Sequence, residues 1–161
     1  MLFTPTRAYL SILSVTPDVL REMGVDSIIL DIDNTCTTHD NPVPLDGLFE
    51  WLEEMRSNGI KMMIVSNNHA PRVEPFAKLL GLPYVSEGAK PLTKGYREAV
   101  KKMGTDKSRC VTIGDQLFTD ILGAKLFGIR SVLVKPIEPE KKGFLAVKRV
   151  LEKPFLPKVY L

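Results

Sequence analysis

Ser27-Ile28-Ile29-Leu30-Asp31-Ile32-Asp33-Asn34-Thr35 is an apolar run that ends in two carboxylates two residues apart, with a threonine two further on. Short, partly β-branched and closed by the turn-prone Asn34, it reads as a buried central strand of a parallel sheet rather than a helix. Side chains at i and i+2 share a face of a strand, so Asp31 and Asp33 start out on the same side. Two acids this close repel, and partial burial adds a desolvation cost, unless a cation or a shared proton relieves them. Mg²⁺ suits the arrangement, because it prefers one or two carboxylates together with waters and a phosphate oxygen. The simpler reading is that the two acids cap a loop.

The rest of the chain repeats the pattern of strand and helix. Ile60 to Val65 is a second apolar run and delivers Ser66, Asn67 and Asn68 to its carboxyl end. Leu82 to Val85 is a short third run. Cys110 to Ile113 precedes Gly114-Asp115-Gln116-Leu117-Phe118-Thr119-Asp120, and Arg130 to Val134 is the last run. Between them, Leu45, Leu48, Phe49, Leu52 and Met55 recur at helical spacing, with Trp51 off the stripe and half-buried. A second helix covers Val73 to Leu80. A third opens at Pro91, with Tyr96, Ala99, Val100 and Met103 on its buried face, which leaves Lys90 just before a helix N-terminus where a cation gains nothing from the dipole. The fold expected is α/β, a doubly wound, Rossmann-like parallel sheet with helices on both faces, and ligands bind at the carboxyl ends of such strands. Residues 1–161 are expected to form one domain. Residues 1–25 are a lead-in packing beside the sheet, with Thr16 capping a short helix that opens at Pro17 and has Gly24 past its end.

Composition is that of an ordinary soluble protein, 44% hydrophobic and 25% charged, and Cys36 and Cys110 fit neither a disulfide framework nor a zinc site. No signal-like or membrane-spanning stretch stands out, so a cytoplasmic enzyme is expected. Residues 1–134 hold 15 basic and 16 acidic side chains, against 7 and 3 in residues 135–161, so the net charge of +3 belongs to the tail. There Lys141, Lys142, Lys148, Arg149, Lys153 and Lys158 are interleaved with Phe144, Leu145, Val147, Val150, Leu151 and Phe155. Either this segment docks on an anionic bilayer at the inner face of the membrane, or its apolar residues pack on the sheet while the basic ones face water. Nucleic acid is not expected as a partner.

Asp31, Asp33, Ser66, Lys90 and Asp115 thus converge on one sheet edge. A nucleophilic and an acid/base carboxylate, a divalent cation, a hydroxyl and a lysine are the parts of phosphoryl transfer through an aspartyl-phosphate. A hydrolytic triad fits worse, since Ser66 has no evident His partner; His39 and His69 read as loop residues near the site.

In that order the motifs Asp31-Ile32-Asp33-Asn34-Thr35, Ser66-Asn67, Lys90-Pro91 and Gly114-Asp115-Gln116 with Thr119-Asp120 resemble those of the haloacid-dehalogenase-like (HAD) phosphatases over nearly the whole chain. The lead-in, Ser-Asn-Asn and Gly-Asp-Gln-Leu-Phe-Thr-Asp are most similar to the small, uncapped YqeG-like branch of subclass IIIA, itself similar to mitochondrial phosphatidylglycerophosphate phosphatases. The resemblance implies Asp31 as nucleophile and Asp33 as general acid and base. It implies Mg²⁺ held by Asp31, the Asp33 carbonyl and Asp115, phosphate bound by Thr35, Ser66, Asn67 and Lys90, and Asp120 as a partner of the metal waters. It also implies a phosphate monoester substrate, with phosphatidylglycerophosphate as the lipid candidate. Short gaps between the motifs leave no room for a cap, so water is to be excluded by a homo-oligomer or by the substrate. The alternatives are a phosphatase for a soluble sugar or nucleotide phosphate, a phosphoacceptor signalling domain, whose order of acids differs, and a binding module without turnover.

Overall fold

The computed structural model describes residues 1–140 and 142–161; Lys141 of the basic tail lies outside the described residues. Six parallel strands form one sheet in the order β1-β6-β5-β2-β3-β4, with β1 Arg7–Tyr9, β2 Ser27–Leu30, β3 Lys61–Val65, β4 Tyr84–Val85, β5 Cys110–Gly114 and β6 Arg130–Val134. Strand β2 is flanked by β3 and β5, and Leu30 lies beside Ile64 and Ile113. Asp31, Ser66 and Asp115 therefore leave three adjacent strands at nearly one level.

Side-chain alternation along β2 builds two cores. Ile28 and Leu30 pack with Leu20, Leu48, Leu52, Phe76 and Leu80 on one face, while Ile29 packs with Met63, Val65, Tyr96 and Ala124 on the other. Helices α1 Pro17–Met23, α2 Leu48–Ser57 and α3 Ala70–Leu80 cover the first face; α4 Lys94–Met103 and α5 Leu122–Phe127 cover the second. Each fully buried aliphatic side chain contributes about 1.5–3 kcal/mol, and Ile28, Ile29 and Leu30 of the central strand are all fully buried. The sixth helix, α6 Gly143–Glu152, closes the carboxyl edge. Among the described residues no helix is long and apolar enough to cross a membrane.

Thr16 caps α1 by accepting from the Val19 N–H, Pro17 opens it, and Gly24 ends it at φ 68°, as the sequence predicts. Four expectations change. Residues Arg7–Tyr9 are a strand, not a lead-in beside the sheet: they pair with Val132–Val134, and three residues are too few to display a period. The buried stripe of α2 is Leu48, Trp51, Leu52 and Met55, and Phe49 is exposed. Leu48, Leu52 and Met55 stand where expected, Trp51 takes the place of Phe49, and Leu45 precedes the helix, half-buried against the same core. Trp51 is buried, its Nε1 donating to the Val15 carbonyl at 2.7 Å. Finally, α4 begins at Lys94, and Lys90-Pro91 is a cis peptide in the preceding turn, closed by the Leu92 N–H to the Ala89 carbonyl at 2.8 Å. Lys90 is thereby clear of the helix N-terminus, and the expected conflict with its dipole is gone.

Candidate active site

Asp31 continues β2, its N–H donating to the Ile113 carbonyl at 3.0 Å. Its Oδ1 accepts from Lys90 Nζ at 2.8 Å, and the same ammonium donates to Asp120 Oδ1 at 2.7 Å. All three side chains are buried. Burial, followed by repulsion from Asp120, pushes the Asp31 carboxyl up to about 6 in spite of Lys90. Burial likewise holds Asp115 above the usual carboxylate range, against the pull of Arg149. Burial alone lowers a lysine, but Asp120 and Asp31 outweigh it and raise Lys90. Asp120 reaches this position because Gly114 has no side chain: a Cβ there would lie 2.3 Å from Asp120 Cγ.

Asp33 faces differently. Its Oδ1 accepts from Arg72 Nη2 and from the Asp40 N–H, each at 2.9 Å, and its Oδ2 accepts from Asn68 Nδ2 at 2.6 Å. Ser66 is buried, and its Oγ accepts from the Asn68 N–H at 3.1 Å. Asn67 binds the backbone of Lys90 in both directions, donating to its carbonyl at 2.9 Å and accepting from its N–H at 2.7 Å. This side chain thus staples the lysine turn to the loop after β3. Thr35 Oγ1 donates to Asp115 Oδ1 at 3.3 Å.

A cavity of about 190 Å³ opens over these groups, lined by Asp31, Asp33, His39, Ser66, Asn67, Asn68, Lys90, Gln116 and Thr119, and by Leu145 and Lys148 of α6. His69 lies outside it, paired with Glu87. Asp31, Asp115 and Asp120 each present a carboxylate oxygen within 4.8 Å of the others.

The tail departs from the expectation that its apolar residues pack on the sheet while its basic ones face water. Phe144, Val147, Val150 and Leu151 are exposed, Phe144 at 79% and Leu151 at 58%, so they do not pack on the sheet. Lys148 and Arg149 do not face water: Lys148 Nζ donates to Gln116 Oε1 at 2.9 Å, and Arg149 pairs with Asp115. The buried carboxylates of Asp115, Glu140 and Glu152 pair with Arg149, which turns the charged side of α6 toward the sheet edge. Asn68, delivered beside Ser66 and Asn67 by the same run, bonds Asp33, and Arg72, Lys148 and Arg149 are the site residues that sequence reasoning missed. Only the amphipathic pattern of the tail hinted at any of them.

Residues 7–128 match the model of the haloacid dehalogenase-like hydrolases. The chain belongs to that family. It is 42% identical over 143 residues to a probable phosphatase, YqeG, of Bacillus subtilis, covering 89% of this chain and 83% of the relative. A phosphoglycolate phosphatase of Caulobacter vibrioides is 31% identical over 104 residues, covering 59% of this chain and 44% of that protein. Among solved structures, a HAD family hydrolase of Deinococcus radiodurans with bound phosphate and sodium superposes with a TM-score of 0.62 at 17% identity, covering 80% of this chain and 89% of that one. In this HAD-like hydrolase, β6 and α6 lie beyond the matched span, so the arginine on Asp115 comes from outside it.

Proposed function

We propose that this chain is a Mg²⁺-dependent phosphate monoester hydrolase that works through an aspartyl-phosphate on Asp31. The observation that carries the reading is Asp31 itself, buried at the end of the central strand, 2.8 Å from Lys90 and lining the same cavity as Asp33 and Ser66. The phosphatase relatives support the reaction class.

The donor set fits a hard divalent cation. Asp31, Asp115 and Asp120 supply only oxygens, and burial together with repulsion from neighbouring acids holds the first two above the usual carboxylate range, a cost to their ionised forms that a divalent ion relieves. Asp31, Asp115 and the Asp33 carbonyl would hold it, with Asp120 next to them. When bound, the cation supplies positive charge to the phosphoryl oxygens and orients them.

The chain's own groups do the rest. An Asp31 carboxylate oxygen attacks phosphorus, forming the new P–O bond as the ester P–O bond breaks, and Asp33 gives the leaving alkoxide a proton. Water then attacks the acyl phosphate; Asp33 takes its proton, Asp31 returns as carboxylate, and inorganic phosphate departs. Lys90 keeps Asp31 ionised and neutralises phosphoryl charge, Ser66 offers its hydroxyl, and Arg72 with Asn68 fixes the Asp33 carboxylate.

Within that class we favour a phosphate on a bulky or membrane-borne group, phosphatidylglycerophosphate being the one the family resemblance names. The cavity is smaller than sites that enclose a whole drug-sized ligand, and the exposed apolar side of α6 adjoins it. The test is a panel of phosphate monoesters, with that lipid in anionic vesicles, assayed with wild type and Asp31→Asn in Mg²⁺ and in chelator. Loss of all activity in the variant and in chelator is expected. Undiminished turnover in either removes the covalent step or the metal, and strong preference for a soluble phosphate such as phosphoglycolate removes the lipid.

A further inference from the structure

Arg149 holds one residue by two handles. Its Nη1 donates to the Asp115 carbonyl at 2.6 Å, and its Nη2 donates to Asp115 Oδ2. The other edge of the guanidinium is anchored in α6 and the turn before it: Nε donates to Glu140 Oε2 at 2.6 Å, and Nη1 reaches Glu152 Oε2 at 3.3 Å. The carboxylates of Asp115, Glu140 and Glu152 are 0, 8 and 1% exposed. A planar fork with fixed donors suits this duty, where an ammonium supplies one point contact. Among the described residues, Asp115 Oδ1 is left with only the 3.3 Å bond from Thr35.

We propose that Arg149 is a positioning residue for Asp115, so that docking of α6 and binding of Mg²⁺ at the acidic cluster favour one another. The inference rests on the Mg²⁺ reading above. Two effects of opposite sign compete, since a clamp fixes the ligand oxygen while a cation repels a second cation. The neighbours decide between them: Arg149 and Lys148 carry two positive charges against the two negative charges of Glu140 and Glu152, so the group behind Asp115 is not net positive. The clamp therefore dominates. Outer partners of metal ligands are typically worth 10- to 100-fold in metal affinity.

Two measurements on the full chain test this. The first titrates Mg²⁺ into wild type, Arg149→Gln and Arg149→Lys by calorimetry. The Gln variant is expected to need about tenfold more Mg²⁺ or beyond, with the Lys variant falling between it and wild type because it keeps the charge and loses the fork. The second follows hydrogen exchange over Gly143–Glu152 in the wild type, with and without Mg²⁺. Coupling is reciprocal, so saturating Mg²⁺ is expected to slow exchange in α6. This readout needs no variant and stands even where Arg149→Gln fails to fold. Equal or tighter Mg²⁺ binding in Arg149→Gln overturns the proposal, as does exchange in α6 that is unchanged or faster with Mg²⁺. A purely structural anchor would lower the melting temperature of the variant and move neither reading. Wild type that takes up no Mg²⁺ overturns the Mg²⁺ reading itself, and this inference with it.

Discussion

Lys90 is the only ammonium bonded to Asp31 and Asp120 among the described residues, so removing it strands two buried acids. Lys90→Met is expected to cost about 3–5 kcal/mol at neutral pH, measured by denaturant unfolding in chelator; a loss under 1 kcal/mol would contradict the burial of the pair. Asp31 adds a pH dependence whose sign follows from its raised pKa. With the folded carboxyl at about 6, above its ordinary value of 3.8, its contribution to stability is present at low pH and is lost as pH rises through 6. Mg²⁺ requires the ionised form, so the rise in melting temperature on adding it is expected to be larger at pH 7.5 than at pH 5. Equal rises would place the cation away from Asp31. Asp33 is separable from Asp31 by chemistry: Asp33→Asn should slow hydrolysis of alkyl phosphates far more than of activated aryl phosphates, which leave without a proton. Equal slowing of both would assign Asp33 to structure. Asp31, Asp33, Ser66, Lys90 and Asp115 were legible in the sequence because each follows an apolar run or precedes a helix. Arg72 was not, since it sits one turn inside α3 and meets a partner 39 residues away only after the helix packs.

At the scale of elements, apolar runs marked five of the six strands, and glycines marked the ends of α1, α3, α4 and α5. On α2 the stripe of Leu48, Leu52 and Met55 holds, and it leans toward Trp51 rather than Phe49. Trp51→Phe leaves the buried Val15 carbonyl without its donor and is expected to cost about 1–3 kcal/mol in thermal or chemical unfolding; an unchanged midpoint would put the indole back at the surface. Strand β5 carries the other constraint. Gly114→Ala sets a methyl 2.3 Å from Asp120 Cγ, so Asp120 must move off Lys90. The expected result is a loss of about 1–3 kcal/mol together with most of the phosphatase activity. Full activity in that variant would show that Asp120 is not needed where it stands.

At the scale of the whole molecule, β2 and β5 bring the acids to one edge and β3 brings Ser66 beside them, and α6 closes that edge with its charged side inward. Sequence pattern disclosed that residues 143–152 have two unlike faces, but which face turns inward depends on buried carboxylates from other segments, Asp115 foremost. The outward apolar face carries the membrane expectation. Replacing Phe144 and Leu151 by Ser should weaken binding to anionic vesicles while leaving hydrolysis of a soluble aryl phosphate as it was. Unchanged vesicle binding would remove α6 as the docking face. The covalent step is tested most directly by quenching wild type in acid during turnover of an aryl phosphate with Mg²⁺ and locating the phosphoryl group by peptide mass spectrometry. Phosphate on the peptide that contains Asp31, absent from Asp31→Asn, is the result predicted. Phosphate on another residue, or turnover in Asp31→Asn at the wild-type rate, would contradict it.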